Sequence, residues 1–231
     1  MKTKITSCIF SLFLITFVSC NKSTNESKKQ NNTEDQDIMQ KSTSSDLSVS
    51  GTYEINNNSS IILWEGSKPA GSHNGVIKIK SGEMKFDNGE MTAAKFIADM
   101  TSIDVQDLEG EEKKDLENHL KGKISGKEDH FFNVEKYPES QFTLKSVSVN
   151  EDNYIIYGEL TIKGKSNPVE LDAMIEFGND NKSVKLISEE FEIDRTKWGI
   201  EYMSKSVFDD LKERFIDDEI VLKVELKASK V

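Results

Sequence analysis

The sequence predicts an all-β fold, an antiparallel up-and-down arrangement of about eight strands with two short helices at its ends. Three observations carry that prediction. Apolar and polar residues alternate with period two in several stretches, the joints between them are short and rich in Gly, Asn and Asp, and only two brief segments keep helical spacing. Short joints imply antiparallel neighbours, since parallel strands need a crossover of a dozen or more residues. A closed barrel and a sandwich both satisfy this pattern, and closure is favoured because it removes exposed edges.

The chain opens with Lys2 and Lys4 followed by the apolar run Ile9-Phe10-Ser11-Leu12-Phe13-Leu14-Ile15-Thr16-Phe17-Val18. That is the pattern of a signal peptide, about half the roughly 20 apolar residues needed to span a bilayer. The junction Phe17-Val18-Ser19-Cys20 resembles the lipobox of bacterial lipoproteins, with Phe17 in place of the usual leucine. The resemblance implies cleavage after Ser19 and acylation of Cys20, so residues 1–19 are expected to be a lipoprotein signal and Cys20 a membrane anchor.

The only other cysteine, Cys8, lies inside that signal. The folded part therefore has no disulfide framework, thiolate metal site or cysteine nucleophile. Removing Lys2 and Lys4 leaves 28 of the 30 basic side chains against 41 acidic ones, a mature net charge of −13 (28 − 41). Such a surface repels nucleic acid and anionic headgroups, and no nucleic-acid partner is expected. From Asn21 to Ser48 nearly every side chain is polar, with Ile38, Met39 and Leu47 the large apolar exceptions. This stretch buries too little to fold. Residues 20–49 read as a flexible tether, reaching roughly 30 Å as a coil of about 28 residues. Residues 50–231 read as one folded domain, without internal repeats.

Within that domain the strands are expected at 51–55, 61–67, 75–86, 91–100, 140–149, 154–162, 169–177, 184–194 and 220–228. The clearest is the seventh, where Val169, Leu171, Ala173, Ile175 and Phe177 alternate with Glu170, Asp172, Met174 and Glu176. The last repeats the pattern, with Ile220, Leu222, Val224, Leu226 and Ala228 set against Val221, Lys223, Glu225 and Lys227. The joints Asp87-Asn88-Gly89, Asn150-Glu151-Asp152-Asn153 and Gly178-Asn179-Asp180-Asn181 favour tight turns. A helix is expected at 107–121, acidic early and basic late, with Gly122 to stop it. A second is expected at 206–214, with Phe208, Leu211 and Phe215 at helical spacing and Asp209-Asp210 in its first turn.

Catalytic chemistry finds little support. His73, His119 and His130 are the only histidines, and none forms a His-X-X-X-His or Glu-flanked pair, so no metal site is expected. There is no nucleophile elbow, phosphate-cradling glycine loop or calcium loop. Asp194-Arg195 fits a strand-end arginine that ties down a neighbouring loop. Trp64 and Trp198 fit core or rim aromatics. No catalytic residue and no cofactor is expected.

Six strings in order carry a family resemblance: Trp64-Glu65-Gly66-Ser67-Lys68 leading to Gly71-Ser72-His73-Asn74-Gly75; Asn118-His119-Leu120-Lys121; Phe131-Phe132-Asn133-Val134-Glu135-Lys136-Tyr137-Pro138; Tyr157-Gly158-Glu159-Leu160-Thr161-Ile162-Lys163-Gly164; Asp194-Arg195-Thr196-Lys197-Trp198-Gly199-Ile200; and Ile216-Asp217-Asp218-Glu219-Ile220. In these the chain resembles the YceI-like family of exported proteins across nearly the whole folded domain. The resemblance implies a lipocalin-like barrel that binds polyisoprenoids or other long-chain amphiphiles. The chain departs from it between His119 and Phe131, where extra Gly and Lys residues stand and His130 takes the place of an expected aspartate.

A barrel of about eight strands holds one small ligand or is filled by its own side chains, and alternation does not separate the two. Ala94, Ala98, Gly158 and Ala173 offer room, while twelve phenylalanines could fill it. If the barrel is hollow, the expected lining is Ile77 and Ile79, Phe96 and Ala98, Phe142 and Leu144, then Ile156, Gly158 and Leu160. Val169, Leu171, Ala173 and Ile175 of the seventh strand, with Ile220, Leu222 and Val224 of the last, complete it. Lys68 and His73 are the head-group candidates, with Lys163 and Lys165 as looser ones. The partners expected are a long-chain isoprenoid or similar lipid, and a membrane reached through Cys20. The outer membrane, facing the periplasm or the cell surface, is the expected location. The rival reading is a solid-barrel envelope lipoprotein with no small ligand.

Overall fold

The computed structural model describes residues 49–150 and 153–231. The expected signal, the anchor Cys20 and residues 20–48 of the tether lie outside the described residues. The strands are β1 (Gly51–Ile55), β2 (Ile61–Lys68), β3 (Gly71–Asp87), β4 (Glu90–Val105), β5 (Glu139–Asn150), β6 (Asn153–Ile162), β7 (Lys165–Phe177), β8 (Ser183–Ser188), β9 (Phe191–Asp194) and β10 (Glu219–Lys230), with one helix, α1 (Gly110–Leu120), between β4 and β5.

All pairings between the strands are antiparallel, and the sheet closes: β10 lies beside β2, β3 to β8 follow in sequence order, and β8 returns to β10. Two places in the ring are shared. β2 pairs with 220–225 of β10 and 71–78 of β3, whereas β1 continues along the same gap, pairing with 228–230 and 83–86. On the other flank of β10, β9 takes 219–222 and β8 takes 225–229. The result is an eight-position up-and-down barrel, as the period-two pattern predicts.

The alternation sets the faces. On β7, Leu171 and Ala173 are buried and Val169 and Ile175 half-buried, while Glu170, Asp172, Met174 and Glu176 are exposed. On β10, Val224, Leu226 and Ala228 are buried, and Ile220 and Leu222 half-buried. The tight turns take the backbone their residues favour: Asn88 has φ 50° and Gly89 φ 85°, and Lys163 and Gly164 close the β6–β7 hairpin with φ 49° and 74°.

Two expectations are corrected. The stretch 184–194 is two strands, broken at Glu189-Glu190, which are both exposed. Residues 206–214 form a run of turns, with Lys212 at φ 53° and Val207 and Phe208 43% and 48% exposed. Isolated helices below about 12–15 residues are marginal, and Phe208 is not packed against the core to support one. Its ends are instead fixed by the Ser204–Ile216 bridge and by Ile216 N–H donating to the Met203 carbonyl at 2.9 Å. The first helix does form, with Glu111 and Glu112 in its opening turn and Leu120 buried.

Candidate functional site

The interior is divided into two halves. In the half holding the β3–β4 and β7–β8 turns, Tyr53, Met84 and Leu226 are fully buried, and the Tyr53, Phe86 and Phe177 rings meet edge-to-face or tilted at 4.9–6.1 Å between centroids. The Tyr53 hydroxyl donates to the Asn181 carbonyl at 2.7 Å, so the plug has no unpaired polar atom. Above it Phe96 and Phe142, opposite each other on β4 and β5, stack at 4.9 Å with planes 7° apart. The Phe142 ring lies where a side chain at position 158 would stand, so that a Cβ there would clash with its Cζ. The room Gly158 was expected to give a ligand is therefore taken by Phe142.

The other half contains a partly enclosed cavity of about 120 Å³. Its inner wall is built by Ile62 and Trp64 of β2, Ile77 of β3, Ala98, Met100 and Ile103 of β4, Ser140 of β5, Leu160 and Ile162 of β6, Ile193 of β9, and Ile220 and Leu222 of β10. Met100 and Ile103 could not share a face of a regular strand. They do so because the β3–β4 register jumps: Val76 opposes Asp104 but Lys78 opposes Asp99, leaving 100–103 as a wide bulge. Polar groups near the bend hold it open, the Asp99 carboxylate accepting from Thr101 N–H at 3.0 Å and the Ser102 hydroxyl accepting from Lys78 N–H at 2.8 Å.

Chain segments outside the strands cover the cavity: Leu120 at the end of α1, Phe131-Phe132, Arg195 to Ile200, and Ile216-Asp217. The string Asp194-Arg195-Thr196-Lys197-Trp198-Gly199 folds locally for legible reasons. Asp194 accepts from Thr196 N–H at 3.0 Å and caps a short 3-10 turn, which Gly199 ends at φ 76°. Trp198 forms part of the wall, its indole N–H donating to the Leu160 carbonyl at 3.0 Å. Arg195, 1% exposed, donates Nη1 to Ile200 O at 2.6 Å, Nε to Asp217 O at 2.9 Å and Nη2 to Ile216 O at 2.9 Å, and it faces Asp218 Oδ1 at 3.5 Å. Burial lowers its pKa and Asp218 opposes the shift. Burial also works to raise Asp218, but Ser204, Ser206 and Arg195 together hold its carboxyl below the ordinary range. This is the loop-tying role expected of the arginine, and no step of chemistry is needed to explain it.

A second cluster braces the cover. His119 and His130 meet Nε2 to Nδ1 at 2.9 Å, and the His130 ring stacks on Tyr202 at 3.9 Å between centroids. Burial, with Lys127 and for His119 also His130, holds both imidazoles below their usual pKa. Phe132 N–H donates to Leu120 O at 3.1 Å, so this cluster ties α1 to the cavity wall.

Of the sequence-predicted lining, Ile77, Ala98, Leu160, Ile220 and Leu222 meet the cavity. Ile79, Phe142, Ile156, Leu171, Ala173 and Val224 are buried in packed core, and Phe96, Leu144, Val169 and Ile175 pack against it half-buried. They face inward as expected, but around side chains and not around space. The head-group candidates lie outside the cavity. Lys68 is exposed at the end of β2, and His73 Nδ1 is engaged by Asp107 at 2.8 Å. Lys163 is also engaged, donating to the Asp129 carbonyl at 3.1 Å. Sequence reasoning missed Met100, Ile103, Ser140 and Phe131-Phe132 as lining residues. The Phe-Phe pair was visible as a family string, but the bulge left no sign in the alternation.

The profile of the YceI-like domain matches residues 53–228. Among curated relatives, a UPF0312 protein of Photorhabdus laumondii is 39% identical over 57 residues, 25% of this chain and 27% of that protein. A UPF0312 protein of Yersinia pestis is 31% identical over 102 residues, 43% of this chain and 47% of that protein. These alignments span less than half the length of either relative. Two solved structures share the fold. BcnA of Burkholderia cenocepacia has a TM-score of 0.58 at 19% identity, covering 76% of this chain and 99% of that one. A polyisoprenoid-binding domain from Saccharophagus degradans has a TM-score of 0.57 at 12% identity, covering 78% and 98%. With the barrel closed by these strands and the family profile spanning nearly all of it, the chain belongs to the YceI-like family.

Proposed function

We propose that the protein is a non-catalytic binder, a carrier or sequestering protein, for a long-chain isoprenoid or similar amphiphilic lipid in the bacterial cell envelope, held at a membrane, the outer membrane in this reading, through an acylated Cys20. The observation that carries the proposal is the covered apolar cavity of about 120 Å³ at one end of an otherwise packed barrel. The shared fold with a domain described as polyisoprenoid-binding supports it. The cavity is in the size class of an apolar cavity of about 150 Å³ that takes benzene, so it receives one end of such a molecule. A longer tail enters by separating the Phe96–Phe142 stack. Burying even about ten methylenes contributes about 8 kcal/mol before association costs.

Mass spectrometry of organic extracts from the purified protein tests the proposal, together with retention of a fluorescent isoprenoid. A co-purifying lipid and saturable retention are expected. An empty extract with no retention makes the barrel a solid scaffold, the reading that the aromatic plug favours for the opposite half. For the anchor, Cys20→Ser is expected to release the protein from membranes or to leave the signal uncleaved. Detergent partitioning at the processed wild-type mass would count against acylation.

A further inference from the structure

The three histidines of the chain lie in two settings. His73 is engaged by a carboxylate, its Nδ1 meeting Asp107 at 2.8 Å. His119 and His130 have each other, one in the last turn of α1 and the other at the end of the 3-10 turn Glu128–His130. Their nitrogens meet head-on: the ring centroids stand 5.2 Å apart, as an in-line Nε2 to Nδ1 contact of 2.9 Å requires. A metal ion between in-line nitrogens would hold them about 4 Å apart, because each bond to imidazole is about 2.0–2.1 Å long. The contact is therefore a hydrogen bond, in which one imidazole donates and the other, unprotonated at that nitrogen, accepts.

The pair sits directly on the cover of the cavity. Leu120 and Phe131, its immediate neighbours in sequence, both line the cavity. The His119 ring meets the Phe131 ring edge-on at 5.0 Å, and Tyr202 packs on His130, His119 and Phe131 at 3.9, 5.1 and 5.7 Å between centroids. Two backbone bonds back up the rings, Phe132 N–H donating to Leu120 O at 3.1 Å and Val134 N–H to Lys121 O at 3.0 Å.

Protons reach a coupled pair in two steps. After the first, an imidazolium donates to its neutral partner and the bond survives. After the second, both facing nitrogens carry N–H and like charges oppose each other, so the bond is lost and repulsion replaces it. Burial holds both imidazoles below their usual pKa; Lys127 adds to this at each, and Glu128 opposes it at His130. The remaining charged neighbours are occupied. On α1, Glu117 and Lys121 pair at 3.3 Å, while Asp129 is engaged by Asn133 at 2.9 Å and Lys163 at 3.7 Å. The 199–203 segment presents the Tyr202 phenol, with Glu201 exposed beside it. The other tie of the cover does not titrate between pH 7.5 and 5.0, since a guanidinium stays charged and the Asp218 carboxyl is held below its ordinary range.

We propose that His119 and His130 form a proton-operated latch: joined by their hydrogen bond they hold Leu120 and Phe131 over the cavity, and doubly protonated they part, freeing residues 119–131 and discharging the bound lipid in acid. This rests on the proposed lipid-binding function and adds when the ligand leaves and which side of the cover opens.

Retention of a fluorescent isoprenoid between pH 7.5 and 5.0 tests the latch. Wild-type affinity is expected to fall about tenfold, the factor that one pKa unit of difference between closed and open states supplies. His130→Gln keeps a hydrogen-bonding side chain that cannot gain charge, and it should flatten the dependence. His130→Glu should reverse it, because acid then charges His119 opposite a carboxylate and tightens the latch. His73→Gln should leave the wild-type curve unchanged. In the ligand-free wild type, amide exchange at 119–134 relative to β7 should rise on acidification, a reading that needs no variant to fold. Wild-type affinity that does not change with pH, an equal loss in His130→Gln, or a flat exchange ratio overturns the latch and leaves lipid binding standing. No retention of isoprenoid even at pH 7.5 overturns both.

Discussion

The two halves of the barrel are made from the same strands and follow the same inward-outward alternation, yet one is solid and the other hollow. The solid half is closed by side chains carried on strands, with Tyr53, Phe86 and Phe177 meeting across it. The hollow half is closed by segments between strands, held by Arg195 and by the His119–His130 pair. Strand-borne aromatics fill the space they enclose, whereas a cover laid across the barrel mouth leaves space beneath it.

The largest expected effect comes from removing the tie that holds the cover. Arg195→Met strips three carbonyls of their donor and leaves Asp218 buried beside an apolar side chain. Breaking a buried ion pair costs about 3–5 kcal/mol. Denaturant unfolding should show a loss in that range, with faster amide exchange at 195–200 and 216–218 than in β7. A loss confined to a few tenths of a kcal/mol would show that the cover is held by packing alone.

A paired substitution sharpens the contrast between the halves. Ala173, 1% exposed, lies in packed core, so Ala173→Phe should overpack it and cost about 1–3 kcal/mol. Ala98 lines the cavity, so Ala98→Phe should instead fill space, abolish ligand retention and change stability far less. Thermal melts and isoprenoid retention on both variants check this. Equal destabilisation by both would erase the distinction between the halves.

The cover should also respond to pH while the plug does not. Burial holds His119 and His130 below their ordinary pKa, so the folded state favours neutral imidazoles. Their contribution is present above the unfolded value of about 6.5 and is lost as pH falls through the lowered folded values. Melting temperature should therefore fall on acidification from pH 7.5 to 5.5, and His130→Asn should flatten that dependence. An unchanged slope in the variant would remove the pair from the account.

The smallest effects are expected at the two head-group candidates. Lys68→Ala changes an exposed side chain, and His73→Ala breaks a partly exposed contact with Asp107, of the class worth roughly 0–1 kcal/mol. Neither should alter isoprenoid retention. A marked loss of retention in either would move the ligand head out of the cavity and onto the β2–β3 hairpin.

Much of the fold was legible in the residues themselves. The alternation at 169–177 and 220–228 named the faces of β7 and β10, because a strand offers only two faces and burial of charge decides between them. The Asn-Gly joint at 88–89 located its turn because few residue pairs accept left-handed backbone so readily. The six family strings run across the same barrel that these patterns build, and four of them, at 118–121, 131–138, 194–200 and 216–220, contain cover segments of the cavity.

What tertiary structure alone decided is depth. Period two says that Ala98 and Ala173 both point inward, but whether an inward residue meets a void or a neighbour depends on side chains arriving from other strands. Phe142, on a strand beside β6, takes the room that Gly158 leaves, which position 158 does not reveal. The bulge at 100–103 sends Met100 and Ile103 to one side against the alternation, because the β3–β4 register shifts there. Residues 206–214 show helical spacing and form turns, since spacing offers an apolar stripe and only a docking surface makes it worth forming. Arg195 finds its carbonyl partners at 216 and 217, more than twenty positions away along the chain. Local chemistry thus determined the strands and their faces, while contacts between strands distant in sequence determined where the barrel is hollow.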